Sequence, residues 1–422
     1  MQRVQNKITY ESETDTEAPS SQVFSSQSES EATSASRSTR KSRKAKEKVQ
    51  EGSPRLVETI ALCHIGLLFL RLPITTADIL EWVNDGQLLY YRAVREVPLG
   101  MRERLPPRYQ AQLEPQELLQ APGLHAEMLD LMKTFAVHIE MSPPILNVPL
   151  ILYRWIRELM LPIEVYAATN RLAQTLEVSF DFVLSSKSGT VIALQYPEAR
   201  LMAILVVAVK LLFPSDDVAR YAHSEIGLSA ICMDWKVWAK QREERLRHVE
   251  NPEYLTFADS FVLAEADCHS LSDEKLDAYL DWYQDNIASE DIRERGKAGK
   301  DAELRRAMFS MFPLRRNPPA DAREQRTAGS QALLDSRLRK VQSKLQSRPV
   351  HESESSEPES RPLGSRYRRF RRASELSGVS KDFHERAADL AGLSLDDMVQ
   401  VVFAMEKKMQ KIEDRLRREE AA

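Results

Sequence analysis

The side chains best suited to chemistry stand in adjacent pairs. Cys63-His64 and Cys268-His269 each set a thiol beside an imidazole, and Asp216-Asp217 and Asp396-Asp397 each set two carboxylates together. A metal would need such donors to converge, but neighbouring side chains on a helix diverge by about 100°. Structural zinc takes four ligands, usually from C-x-x-C knuckles, and no C-x-x-C occurs in the chain. The acidic pairs follow Pro214 or open a helix, where carboxylates complement the helix dipole. Core packing or partial exposure is therefore expected for the Cys-His pairs and dipole complementarity for the acidic pairs, with no metal. The motifs G-x-x-x-x-G-K-[ST], G-x-G-x-x-G, H-E-x-x-H and G-x-S-x-G are absent as well, so neither a phosphate cradle nor a nucleophile elbow is present. The expectation is a non-catalytic chain with no cofactor and no small-molecule substrate.

The second kind of chemistry is electrostatic. Formal net charge is only -4, but the basic residues are segregated, and segment charge says more than the total. In Arg37 to Gln50 seven Lys or Arg face one Glu, which reads as a nuclear-localisation or nucleic-acid-contacting arm with Arg40, Lys41, Arg43, Lys44 and Lys46 as its candidates. A solvated linker explains the same run equally well. Further on, Pro313 to Arg372 holds 15 Lys or Arg against 7 Asp or Glu and ends in SRYRRFRRASE. There Tyr367 and Phe370 interleave with arginines, so Arg368, Arg369, Arg371 and Arg372 could grip phosphate while the rings stack on bases. A basic tail carrying a kinase site at Ser374 is the competing reading. Lys210, Arg220, Lys236, Lys240 and Arg242 are further DNA-facing candidates, each with a solvated helix face as its alternative.

These residues must be held by helices. Glycine numbers 13 in 422 residues, well under typical usage of roughly 7%, and no stretch alternates with period two between turn signals. Residues 1–53 are Ser-, Thr- and Glu-rich, then basic, and should be disordered. A first helical group, 54–161, is expected to hold five helices: Arg55 to Leu72, apolar nearly all round; a short one capped by Thr75 and Asp78; a third through Leu88, Leu89, Tyr91 and Val94; a fourth from Leu124 to Met141; and a fifth from Asn147 to Leu161. A second group, 162–290, should contain Val165 to Leu184, the central Tyr196 to Pro214 with apolar residues on both faces, Ser224 to Val249 and Asp273 to Ile287. Residues 291–392 read as mostly disordered and basic.

The last element, 393–420, is an amphipathic helix capped by Ser394 and Asp397. Met398, Val402, Met405, Met409, Ile412 and Leu416 step by four and three, the seam of a coiled coil, so this helix is expected to dock on a partner helix. The alternative is packing back on its own body. The apolar stretches Ile60 to Leu72 and Leu201 to Phe213 fall short of the roughly 20 residues of a membrane span. Three scattered cysteines without a signal peptide suggest a reducing nuclear or cytosolic compartment.

Two tandem helical groups behind a basic linker resemble the cyclin folds of transcription factor IIB. Two segments narrow this: LPITTADILEWVNDGQLLYYRAVREVPLGMRERLPPRY, Leu72 to Tyr109, and YPEARLMAILVVAVKLLFP, Tyr196 to Pro214. They resemble the factor-IIB-like subunit of the fungal RNA polymerase I core factor, whose animal counterpart belongs to the promoter selectivity factor. The resemblance spans Arg55 to Ile287 and implies an all-α fold: two tandem cyclin-like five-helix domains flanked by disordered tails, with a C-terminal coiled-coil-like helix. It implies promoter DNA, other core factor subunits, RNA polymerase I and TATA-binding protein as partners, and the nucleus and nucleolus as location. Family members carry zinc in an N-terminal ribbon; without a C-x-x-C pair the ribbon is expected to be lost or encoded upstream of Met1, and no zinc ligand is carried over. The rival reading is a cyclin-fold scaffold or kinase regulator that never touches DNA.

Overall fold

The computed structural model describes residues 55–115, 117–184, 191–216, 218, 220–222, 227–249, 257–286, 320–349, 361–362, 364 and 367–420. The N-terminal basic run, with Arg40, Lys41, Arg43, Lys44 and Lys46, lies outside them.

The chain opens with α1 (Leu56–Phe69), which packs on α3 (Ala121–His138). Arg55 bridges Glu127 at 2.5 Å, and the His64 ring meets Met128 Sδ at 3.1 Å. Between them, α2 (Thr76–Asn84) begins as the sequence predicts: the Asp78 carboxylate accepts the Thr75 N–H at 2.7 Å and the Thr75 hydroxyl at 2.9 Å. In α4 (Val148–Glu158), Ile151, Leu152, Trp155 and Ile156 are buried, as their helical spacing requires. Its polar side carries Arg154, which holds the Asp78 carboxylate at 2.8 Å and the Pro73 carbonyl at 2.9 Å and so fixes α4 against the start of α2.

Next come α5 (Glu164–Thr175) and α6 (Pro197–Leu212). Every residue of α6 from Pro197 to Val209 is buried. An all-round apolar helix needs cover on all sides, and three elements supply much of it: α5, α10 (Gly378–Ala391) and α11 (Leu395–Glu420). Before these last two stand α7 (Trp235–Val249), α8 (Asp273–Asn286) and α9 (Ala320–Gln342). Trp238 on α7 is fully buried and donates its indole N–H to the Leu159 carbonyl at 2.7 Å. Burial of a large apolar side chain of this kind contributes about 1.5–3 kcal/mol. One apolar core runs through residues of α1 to α7, α9, α10 and α11.

The α10–α11 corner depends on Gly392, whose φ of 62° ends α10 in the left-handed conformation. A Cβ at that position would lie 3.3 Å from the Ala77 nitrogen, so the glycine also lets α10 approach the first turn of α2.

The sequence expectations fail in five places. Leu88, Leu89, Tyr91 and Val94 do not form a helix: the chain turns at Gly86 (φ 67°) and Arg92 (φ 54°), and Tyr91 is buried with its hydroxyl between Asn84 Oδ1 at 3.1 Å and the Leu119 N–H at 3.0 Å. The helix expected to reach Leu184 stops at Thr175, because Glu177 takes φ 47° and the Arg200 guanidinium captures the carbonyls of Ser179 and Asp181. The helix expected from Ser224 starts only at Trp235, after β2 (Ile231–Cys232) pairs antiparallel with β3 (Gln346–Ser347). A second two-residue pair sets β1 (Arg220–Tyr221) parallel to β4 (Arg361–Pro362). The fourth departure is α1, which is not enclosed: Leu62 and Phe69 are about half exposed. Finally, the stretch read as disordered contains α9 and α10. Arg157 on α4 reaches Asp335 on α9 at 2.7 Å, and Arg348 after β3 reaches the Leu212 carbonyl at 2.8 Å.

Candidate nucleic-acid interface

Three of the candidate DNA-facing residues are consumed inside the protein. Lys210, in the last turn of α6, places its ammonium 2.6 Å from Glu406 Oε1 on α11 and over the rings of Phe370 (4.9 Å to the centroid) and Tyr367 (5.4 Å). Burial pushes the Lys210 ammonium below its ordinary pKa and the Glu406 carboxyl above its own, with each partner opposing the other's shift. Arg220 grips both oxygens of Asp216 at 2.6 Å, and this hydrogen bonding holds the Asp216 carboxyl below the usual carboxylate range against a smaller opposing effect of burial. Arg242 pairs with Asp382 at 2.6 Å and Glu385 at 3.3 Å on α10. Their expected place on a DNA surface is thus corrected: Lys210 and Arg242 each tie two helices together, and Arg220 closes the loop after α6. Lys236 and Lys240, one turn apart on α7, remain exposed.

The aromatic–arginine stretch is corrected in one half. Tyr367 and Phe370 are 9% and 5% exposed, so their rings form the floor under Lys210 and cannot stack on bases. Burial raises the Tyr367 hydroxyl well above its ordinary pKa. The arginines turn outward over this floor. Arg368 lies 5.3 Å from the Phe370 centroid, and Arg369 bonds Gln410 Oε1 of α11 at 2.8 Å. Arg371 lies 5.4 Å from the Phe403 centroid, with Lys407 over the same ring at 4.9 Å. Arg368, Arg371, Arg372, Lys407 and Lys411 are exposed, and Arg369 is half-buried. A strap, residues 367–376, is thereby pinned along α11, and the two together make a basic ridge. Composition pointed to the four arginines; Lys407 and Lys411 were legible only as charges off the apolar seam.

The seam itself finds a partner within the same chain. Met398, Val402 and Met405 are buried in the common core, α11 packing on α6. For these three the partner helix expected from the heptad spacing is the protein's own. Met409 and Ile412 are half-buried, and Leu416 is 47% exposed; only the last turns keep an unpaired apolar edge.

A second buried polar centre lies at the other end of α6. The Glu198 carboxylate accepts the Thr76 N–H at the N-terminus of α2 (3.2 Å to Oε1), and His125 Nε2 stands 3.7 Å away, its ring stacked on Tyr196 at 4.1 Å between centroids. Burial alone would raise the Glu198 carboxyl; His125, His64 and Thr76 together outweigh it and hold the carboxyl low. His64 is pushed below its ordinary value, chiefly by burial. His125 and Glu198 face each other here, with His64 acting on the carboxylate only through its charge, and all three are sealed from solvent, so no substrate reaches them. Cys63 sits on the exposed side of α1, pointing away from His64. Among the described residues no group of three or more metal-type donors converges. A cavity of about 90 Å³ beside Lys210, Ser215, Phe370 and Ser380 is well below the roughly 300 Å³ of a typical ligand pocket. No described helix is long and apolar enough to cross a membrane.

Helices stacked around a buried central helix, with a basic ridge and a sealed interior, define a tandem cyclin-fold protein built for surface recognition. The family model "Rrn7/TAF1B, C-terminal cyclin domain" matches residues 118–287, and "Rrn7/TAF1B, N-terminal cyclin domain" matches residues 1–99. Together they cover more than half of the chain, which belongs to the Rrn7/TAF1B family and holds both of its cyclin domains. The chain is similar to the RNA polymerase I-specific transcription initiation factor rrn7 of Schizosaccharomyces pombe, 24% identical over 263 residues, 59% of this chain and 48% of the relative. It thus spans about half the length of that curated relative. It is also similar to a chain of the S. cerevisiae core factor crystal structure, at 12% identity and a TM-score of 0.45 over 88% of this chain and 85% of that one.

Proposed function

We propose that this protein is a non-catalytic initiation factor subunit that helps bring RNA polymerase I to the ribosomal DNA promoter, working in the nucleus and nucleolus without a cofactor of its own. The observation that carries the DNA contact is the basic ridge. Six cationic side chains, Arg368, Arg369, Arg371, Arg372, Lys407 and Lys411, lie along one strap–helix pair whose floor is buried. A ridge held on a rigid floor meets a phosphate backbone with little ordering cost, and its contacts are sequence-independent, as phosphate contacts are. Lys236 and Lys240 form a secondary contact. Other core factor subunits, RNA polymerase I and TATA-binding protein are the proposed protein partners, with the exposed end of α11 at Ile412 and Leu416 as one docking edge. Division of the body near Pro162 into an N-terminal and a C-terminal helical group, and nuclear import through Arg40, Lys41, Arg43, Lys44 and Lys46, belong to the same proposal.

Reversing Arg368, Arg371, Arg372 and Lys407 to Glu tests the ridge. Phosphate binding expects the slope of log affinity against log salt to shallow by roughly 0.9 for each lost contact. An unchanged affinity and slope for duplex DNA would sink the placement. One observation favours the rival scaffold reading: Leu62, Phe69 and Leu70 leave an apolar strip on and just beyond α1 exposed, and such strips mark protein contacts. Copurification separates the two, since polymerase I and core factor subunits support the first and a kinase the second.

A further inference from the structure

We infer that Ser374 is a phosphorylation site for a basophilic serine/threonine kinase, and that its phosphate switches the basic ridge off. The inference rests on the ridge reading above and adds a regulator to it. Between two buried anchors, Phe370 and Leu376, which pack with Val399 of α11, the strap rises into an arch over 371–375. Arg371, Arg372 and Ser374 are all exposed there. Among the described residues three local bonds hold the arch in its turn, besides the Arg371 contact with Phe403: the Arg371 N–H to Glu375 Oε2 at 2.9 Å, the Glu375 N–H to the Arg372 carbonyl at 3.1 Å, and the Leu376 N–H to the Ala373 carbonyl at 3.1 Å. An exposed arch with so few bonds opens locally at small cost, which a kinase groove needs in order to bind its substrate extended. The two arginines stand two and three residues before the serine, the charge pattern that an acidic substrate groove reads.

In the transfer, the Ser374 hydroxyl oxygen attacks the γ-phosphorus of ATP, its proton passes to the kinase's base, and ADP leaves. The product carries roughly -1.5 to -2 charge at neutral pH with three strong acceptor oxygens. Arg371 and Arg372 are its nearest basic neighbours in the chain and Arg368 is a short reach away, so the phosphate draws their guanidinium groups inward and offsets about two charges of the ridge. Ser377, which opens α10 without a side-chain cap bond, lies three residues on, and an anion near a helix N-terminus is favoured by the dipole. Modification therefore does not need to unfold the strap to silence it.

The test uses the full chain, a basophilic kinase and Mg-ATP, with the product mapped by peptide mass spectrometry and titrated against a 30-base-pair duplex. Expected are one phosphate on Ser374, its loss in Ser374→Ala, an affinity lower by about tenfold or more and a salt slope shallower by about two units, two contacts' worth. Kinase-treated Ser374→Ala should bind as the untreated chain does. If Ser374 stays unmodified while other serines accept phosphate, the inference is wrong and the ridge reading stands. Stoichiometric phosphate with unchanged binding overturns the switch when the Arg-to-Glu reversal does weaken binding. If neither change affects binding, the ridge reading has failed, and the switch with it.

Discussion

Both ends of α6 bury a charge, and they neutralise it by opposite means. At the N-terminal end the Glu198 carboxylate accepts the Thr76 amide at the head of α2 and has the His125 ring 3.7 Å away. The carboxyl is held low, so the ionised form is what the fold prefers. At the C-terminal end Lys210 faces Glu406 at 2.6 Å, and burial pushes both toward their neutral forms. At Glu198 the two imidazoles outweigh burial, and the Thr76 amide adds a donor that brings no charge of its own to desolvate. An ion pair doubles the desolvation, and its attraction only offsets that cost. The first arrangement stabilises; the second chiefly specifies which helix docks where.

The largest effect should separate the two. Removing one partner of a buried pair leaves the other unpaired, so Glu406→Ala is expected to cost about 3–5 kcal/mol in denaturant unfolding. The double variant Lys210→Met with Glu406→Leu should recover most of that loss. If the double variant is as unstable as the single one, the pair is a net stabiliser and the contrast collapses. Next is His384 on α10, which burial pushes down to about 4 from a usual value of 6.5. Its Nδ1–H donates to the Ser380 carbonyl at 2.7 Å, which only partly offsets burial, so the neutral ring is the folded form. Because the unfolded chain then binds a proton that the folded chain does not, this contribution is fully present above pH 6.5 and is lost as pH falls toward about 4. It amounts to about 3 kcal/mol by linkage. A His384→Leu variant should show a flatter stability profile across that window; an unchanged profile would place the titration elsewhere. Smallest is Glu198→Gln, which trades a charge-assisted bond for a neutral one and should cost the difference between the two, about 1–1.5 kcal/mol, by the same measurement. A larger loss than for Glu406→Ala would reverse the ranking of the two ends.

Much of this was legible in the residues. An all-round apolar run from Leu201 to Phe213 can only be central, and it is. Thr75 with Asp78 and Ser394 with Asp397 mark helix starts where their bonds are found, the latter with Asp397 N–H to Ser394 Oγ at 3.1 Å. What stayed hidden has physical reasons. In α10 the buried stripe is largely Ala387, Ala388 and Ala391 with Phe383, and alanines give too weak an apolar periodicity to stand out in a charged neighbourhood. Tyr367 and Phe370 were misplaced because an aromatic among arginines suits a base or a buried lysine equally, and only the fold brings Lys210 over them. Likewise a heptad seam announces a partner helix without saying which chain supplies it.

The dependence of α6 on α11 also shapes how the protein is made. When Pro197–Leu212 leaves the ribosome, the helix that covers one of its sides, Leu395–Glu420, has yet to be translated. Until α11 emerges, the nascent chain carries its most apolar helix partly bare, a condition that invites chaperone binding and aggregation. Completion of this core therefore waits for α11, and a chain that stops short of it is defective as a folded body before it is defective in any partnership.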